Sequence, residues 1–195
     1  MWNTRYSGAE YVYGTEPNDF LVSVVDQIPK GRLLSLAEGE GRNAVYLAEL
    51  GHQVLGVDSS GVGLDKAQRL ADERGVTIET RLADLANFHI KPNSWDAIIS
   101  IFCHLPSGIR SSVHRRVVAG LRPGGVLVLE AYTPAQLKLK TGGPPTADML
   151  MSLDVLRTEL DGLRFTHTLE VEREVIEGKY HTGRGAVVQV VAVKP

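Results

Sequence analysis

Apolar residues recur along this chain in two alternating rhythms. Arg32-Leu-Leu-Ser-Leu-Ala37, Gln53-Val-Leu-Gly-Val57, Val76 to Leu82, Trp95-Asp-Ala-Ile-Ile-Ser-Ile101 and Val126-Leu-Val-Leu129 are short apolar runs of strand length. Between them, Asn43 to Leu50, Gly61 to Arg74 and Ser107 to Gly120 carry apolar residues at helical spacing. Gly51 and Gly75 stand where a helix needs a left-handed cap. Upstream, Pro17 suits a helix start, and Phe20, Leu21, Val24, Val25 and Ile28 continue the helical spacing until Pro29-Lys-Gly31 stops it. Strands alternating with helices predict a parallel, doubly wound α/β sheet of Rossmann type with helices on both faces.

The last third breaks the alternation. Thr141-Gly-Gly-Pro-Pro145 reads as a loop and Ala147 to Leu160 as a helix. Leu163 to Val175 and Ala186 to Val193 read as strands with no room for a helix between them, and Glu177-Gly-Lys-Tyr-His-Thr-Gly183 has the composition of a hairpin turn. The sheet is therefore expected to close with an antiparallel hairpin. Residues 1–195 read as one domain, in which 1–30 form an N-terminal arm and helix. Tyr6, Tyr11 and Tyr13 make that arm a candidate flap over a site.

Composition narrows the class. With 195 residues, 43% hydrophobic and 23% charged, the chain is long enough for a full core and too apolar for disorder. Twenty-one basic against 23 acidic residues give a net charge of −2, which argues against nucleic acid as the main partner. Cys103 is the single cysteine, so neither an internal disulfide nor an all-cysteine zinc site can form, and no metal-ligand cluster appears. No apolar run approaches the ~20 residues that span a bilayer. These features lead us to expect a cytoplasmic protein, monomeric and without a membrane partner.

The chemistry gathers at one sheet edge. The first strand runs into Ala37-Glu-Gly-Glu-Gly-Arg-Asn-Ala44, and a helix follows. Strand, glycines, then helix is where a nucleotide-type cofactor approaches the backbone. Asp58 ends the second strand, where a carboxylate can accept from both ribose hydroxyls, and Asp84 follows the third in Ala83-Asp-Leu85. The spacing Gly39-Glu-Gly41-Arg-Asn-Ala44 also matches the dinucleotide fingerprint G-x-G-x-x-A. Charge separates the two cofactors. Glu38 and Glu40 would repel a diphosphate placed on this turn, whereas S-adenosylmethionine offers a sulfonium and an ammonium. An NAD-dependent oxidoreductase stays as the alternative, as does a non-catalytic protein that binds S-adenosylmethionine.

These residues carry a family resemblance. Leu34-Ser-Leu-Ala-Glu-Gly-Glu-Gly-Arg-Asn43 resembles motif I of class I S-adenosylmethionine-dependent methyltransferases. The strand ends at Asp58 and Ala83-Asp84-Leu85, the run Trp95-Asp-Ala-Ile98 and the turn Leu121-Arg-Pro-Gly-Gly125 are similar to the later motifs. The G-R-N ending and the N-terminal Tyr-Gly-x-x-Pro stretch resemble the tellurite-resistance and thiopurine branch. The resemblance implies a seven-stranded sheet whose last strand lies antiparallel beside strand five. It implies that Asp58 holds ribose, Asp84 the adenine amino group with Leu85 beside it, and Gly39 to Gly41 the methionine portion. Ala37, Asn43, Ser59, Ile101 and Phe102 complete the candidate cofactor set. The sequence departs from the pattern at Ser35, where the family often has an acid, and at Ala37, where it has a glycine. Glu38 and Glu40 are the candidates to replace the acid.

Methyl transfer from a sulfonium is an in-line displacement, so the enzyme mainly aligns reactants and excludes water. The acceptor is expected to be a small molecule: a thiol, a chalcogen oxyanion or a similar soft nucleophile. His104, in Ile101-Phe-Cys-His-Leu-Pro106, is a candidate for substrate contact or proton transfer. His181 and Arg184 near the final turn are the other catalytic candidates, Arg184 as an oxyanion partner. Cys103 reads as a small buried residue beside the cofactor, and His52, His89, His114 and His167 as structural.

Overall fold

A computed structural model describes residues 2–178 and 181–195. Lys179 and Tyr180, within the expected hairpin turn, lie outside the described residues, as does Met1. The strands β1 (Arg32–Leu36), β2 (Gln53–Asp58), β3 (Glu79–Leu82), β4 (Trp95–Ile101), β5 (Leu121–Tyr132), β6 (Arg164–Glu177) and β7 (His181–Val193) form one sheet. Their order is β3-β2-β1-β4-β5-β7-β6. The pairs among β1 to β5 are parallel, while β7 runs antiparallel to both β5 and β6. This is the doubly wound, mostly parallel seven-stranded sheet expected, hairpin included.

The helices are α1 (Trp2–Arg5), α2 (Asp19–Val24), α3 (Arg42–Glu49), α4 (Gly61–Arg74), α5 (Ser107–Gly120) and α6 (Leu153–Glu159). Alternate residues of the central strands face opposite ways, and each face buries its own core. Leu34, Ile98, Leu127 and Leu129 pack with α5 and α6, while Leu33, Ala97, Ile99 and Val128 pack with α2, α3 and α4. No helix among the described residues is long and apolar enough to cross a membrane.

Several element boundaries differ from the sequence reading, and three of them have a clear local cause. The third strand covers only Glu79–Leu82, because the backbone N–H of Val76 is spent on the carbonyl of Ala71, closing α4. The expected helix over 147–160 is split into a 3₁₀ turn, Ala147–Met149, and α6. Ser152 accepts from the Val155 N–H and starts a new helix, while Met151 donates from its backbone to Tyr132. The first apolar helix begins at Asp19 rather than Pro17, since Asn18 accepts from the Leu21 N–H and caps it.

Candidate active site

The loops that leave β1, β2, β3 and β4 at their carboxyl ends meet around one cavity of about 570 Å³. The N-terminal arm, the segment 142–149 and the first residue of β7 close its other sides. Open α/β sheets bind ligands at this edge.

The loop after β1 passes through the left-handed region at three residues, Ala37, Gly39 and Gly41. Gly39 has φ +65°, and a side chain there would meet the Tyr6 hydroxyl at 2.9 Å. Ala37 has φ 51°, so alanine adopts the conformation usual for the glycine it replaces. Gly41, with φ +98°, caps α3. Its missing side chain makes room for α4, for a Cβ there would lie 2.6 Å from the Ala67 Cα. Gly41 does not line the cavity, and its missing side chain serves helix packing.

Glu38 turns back towards Ser35 and the start of α3. Its carboxylate accepts from the Ser35 hydroxyl and, at 2.9 Å, from the Ala44 N–H in the first turn of α3. Burial pushes the Glu38 carboxyl up to about 7 against these hydrogen bonds and the nearby Arg42 charge. Glu40 turns to the N-terminal arm. It pairs with Lys66 at 2.7 Å and accepts from the Val12 N–H at 2.7 Å, with both side chains buried. The loop is thus less anionic than its sequence, because Glu40 is neutralised and Glu38 titrates near neutrality. The charge distinction between the two cofactors rests on a weaker field than the two carboxylates promise.

Asp58 is buried and accepts from the Gly39 N–H at 2.9 Å and the Ser60 N–H at 2.7 Å. Burial raises its pKa, partly opposed by backbone donors of Ser60, Gly39 and Ser59. Each oxygen keeps a second lone pair for a ligand hydroxyl. Asp84 is exposed and accepts from the Ala86 N–H, while Leu85 is buried beside it. Ala37, Glu38, Gly39, Glu40, Asn43, Asp58, Ser59, Asp84, Leu85, Ile101 and Phe102 all line the cavity.

The far end of the cavity is walled by rings. Phe102 has φ 49° although it is bulky, a conformation costing roughly 1–3 kcal/mol that its surroundings must impose. Its N–H donates to the Glu130 carbonyl at 2.8 Å, and its ring lies 4.8 Å from His181 and 4.7 Å from Tyr132. Tyr13 of the arm approaches His181 at 4.6 Å between ring centroids. Burial lowers His181 to about 3 and His104 to about 4, so both imidazoles are neutral at pH 7. His104 is committed to the fold. Its Nδ1 lies 3.1 Å from the Met149 carbonyl, which can only accept, so Nδ1 carries the proton. Its Nε2 accepts from the Tyr132 N–H at 3.4 Å. Burial pushes the Cys103 thiol up to about 12, which leaves it inert as a nucleophile.

Arg184 is not brought to the cavity. Its guanidinium pairs with Glu172 at 2.7 Å on the outer face of the hairpin, with the side chain 66% exposed. Successive residues of a strand face opposite ways, so His181 and Arg184, three apart, fall on opposite faces. The expected oxyanion role for Arg184 is therefore withdrawn.

Several lining residues escaped the sequence reading. Trp2 and Arg5 arrive on α1, and Tyr6 is buried beneath a stacked Trp2 at 5.7 Å. Pro144, Pro145 and Met149 arrive on a segment whose loop composition was legible but whose side of the sheet was not. Arg42 opens α3. It donates to Glu177 at 2.5 Å, so the first residue of α3 is tied to the final hairpin. Burial pushes Glu177 up, but Arg42, Arg173 and Asn18 outweigh it and hold the carboxyl below its ordinary value. Asn18 also donates to Glu130, which accepts from Arg173 and Gln189 at zero exposure. Among the described residues no group of three or more potential ligands stands ready for a metal.

The strand order, the reversed β7 and the loop, Asp58 and Asp84 at one edge resemble those of class I S-adenosylmethionine-dependent methyltransferases, and residues 33–125, just under half of the chain, match the methyltransferase domain family. Particular proteins are similar as well. Over 133 residues it is 28% identical to 2-heptyl-1-hydroxyquinolin-4(1H)-one methyltransferase of Mycobacteroides abscessus, covering 66% of this chain and 59% of that protein. Over 106 residues it is 32% identical to tRNA 5-carboxymethoxyuridine methyltransferase of Escherichia coli K12, covering 53% of this chain and 41% of that protein. The crystal structure of TehB from Haemophilus influenzae superposes with a TM-score of 0.75 at 19% identity, over 100% of this chain and 66% of that one. The chain thus spans less than two thirds of the curated relatives it matches.

Proposed function

We propose that the protein transfers a methyl group from S-adenosylmethionine to a small-molecule acceptor. The observation that carries this reading is one cavity in which the β1 loop, Asp58, Asp84 and Leu85 meet a ring-walled end holding His181. The donor set suits the cofactor. Asp58 would hold the ribose hydroxyls, Asp84 and Leu85 the adenine, and the loop with Glu38 the methionine portion. When bound, S-adenosylmethionine supplies a methyl group already activated on sulfur, which departs as a neutral thioether while the acceptor bond forms. The chain's own residues then have to orient the acceptor in line, exclude water and receive any proton it carries.

A small molecule is favoured over tRNA by the net charge of −2, although one relative is named for tRNA. Of the expected acceptor classes, a thiol or similar nucleophile needs no cation, while a chalcogen oxyanion would have to meet Arg5 or Arg42 in place of the outward-turned Arg184. The single cysteine fits a cytoplasmic enzyme, and we read it as a monomer. Titration calorimetry tests the reading first. S-adenosylmethionine should bind and NAD should not, and preferential binding of NAD would restore the oxidoreductase alternative. Turnover of any acceptor in a panel then separates an enzyme from a binding protein.

A further inference from the structure

Two residues that line the cavity each carry a buried polar atom with no hydrogen-bond partner among the described residues: Arg42 Nη1 and His181 Nδ1. Buried polar groups are nearly always paired, so each orphan calls for an explanation. Arg42 is 8% exposed, and its other terminal nitrogen already donates to Glu177. Nη1 is therefore a fixed donor held in place by a salt bridge. His181 is held by rings on three sides, Tyr13, Phe102 and Tyr132, at 4.6, 4.8 and 5.4 Å between centroids. Leu105, Pro144, Pro145 and Met149 also line the cavity.

Such a wall favours a flat, apolar body over a small hydrated ion. Ring faces and edges gain from stacking against another ring, whereas an inorganic oxyanion would give up its hydration shell to a wall made largely of apolar surface. The two orphans differ in kind. A guanidinium N–H only donates, and a neutral imidazole nitrogen without a proton only accepts. A group that needs both is a hydroxyl: its proton points to the imidazole and its oxygen receives the guanidinium.

We propose that the ring-walled end seats a flat aromatic acceptor bearing one weakly acidic hydroxyl, with His181 Nδ1 taking its proton and Arg42 Nη1 donating to its oxygen. This rests on the methyltransferase reading above. In the step, an oxygen lone pair forms the new bond to the methyl carbon and the methyl–sulfur bond breaks. The O–H electron pair stays on oxygen, and the proton passes to His181. The positive charge lost at sulfur reappears on the imidazolium, so charge and atoms balance. The neutral ring offers a lone pair to the hydroxyl, and the Glu177 carboxylate offsets part of what burial and the Arg42 charge cost the imidazolium. His104, with both nitrogens engaged, is a positioning residue for the wall.

The probes are 2-naphthol, 2-naphthalenethiol, 2-mercaptoethanol and tellurite. Calorimetry on the protein saturated with S-adenosylhomocysteine should show binding of 2-naphthol and, at least tenfold weaker, of naphthalene, which lacks the hydroxyl. With S-adenosylmethionine, kcat/KM for 2-naphthol should exceed that for tellurite and 2-mercaptoethanol at least tenfold. In H181N the loss should be at least tenfold greater for 2-naphthol than for 2-naphthalenethiol, which reacts largely as its anion at pH 8 and needs no base. R42K, which keeps a charge for Glu177 and removes Nη1, should raise the 2-naphthol dissociation constant at least fivefold. Preference for tellurite or 2-mercaptoethanol, equal affinity for naphthalene and 2-naphthol, or equal losses in H181N would each overturn the proposal. Should either variant fail to fold, the wild-type binding and turnover comparisons decide alone. If S-adenosylhomocysteine itself does not bind, the methyltransferase reading fails; if it binds and 2-naphthol neither binds nor reacts, only this proposal does.

Discussion

Glu38 offers a test in which stability, not activity, is read. Its carboxylate is wholly enclosed, with two donors to offset the loss of water, and its pKa stands at about 7 against an ordinary 4.5. A raised acid binds its proton more tightly in the folded state, so the folded protein is favoured at low pH. That advantage is full below pH 4.5 and is lost as pH rises towards and through 7. The gap of about 2.5 pH units corresponds to roughly 3 kcal/mol, the cost of ionising Glu38 inside the fold at pH 8. Glu38→Gln removes the ionisation and keeps the contacts, since its amide oxygen can accept from Ala44 N–H and its NH₂ can donate to the Ser35 hydroxyl. The variant should match the wild type at pH 4.5 and be more stable by roughly 3 kcal/mol at pH 8. Urea melts of both proteins at pH 4.5, 6 and 8 measure this, because the other titrating groups cancel in the difference. A difference that stays constant within about 0.5 kcal/mol across that range would refute the placement of a buried ionisable acid here.

Other substitutions probe separate parts of the site. Asp58→Ala should raise the dissociation constant of S-adenosylmethionine at least tenfold by calorimetry. It should also lower the melting temperature, since it orphans the N–H groups of Gly39 and Ser60. Gly41→Ala drives a Cβ towards the Ala67 backbone at positive φ and should cost about 3 kcal/mol, seen as a fall of roughly 6–12 °C in a thermal melt; an unchanged melt would mean the α3–α4 contact is loose. Arg184→Ala should leave kcat/KM within twofold and stability within about 1 kcal/mol, as an exposed pair with Glu172 implies; a tenfold loss of turnover would return Arg184 to the site.

The periodicities carried most of this architecture, because each strand and helix owes its existence to local apolar spacing and a nearby glycine or cap. Asp58 and Asp84 were legible for the same reason: a residue that ends a parallel strand must lie at the ligand edge. What failed to show were relations between distant elements. Glu38 and Glu40 look alike in sequence, yet one turns to Ser35 and the other to Lys66, and only α4 and the arm decide which. His181 and Arg184 were grouped by proximity, although the two-residue period of a strand already sets them on opposite faces. Gly41 was assigned to the cofactor, while the body that needs its missing side chain is α4. Arg42 is joined to Glu177 across 135 positions, a distance no local pattern can bridge.

The order of the strands also sets an order in time. β7 lies between β5 and β6, so β6 has no place in the sheet until β7 has been made. During synthesis the edge of β5, with Val126, Leu127, Val128 and Leu129, stays unpaired while some sixty more residues follow. At ribosomal speeds of about 5–20 residues per second, that edge is bare for roughly 3–12 seconds. Exposed apolar edges recruit other strands, so a nascent chain of this fold is most vulnerable just before its last hairpin emerges. Slowing elongation within β6, or removing β7, should shift this protein from the soluble to the aggregated fraction.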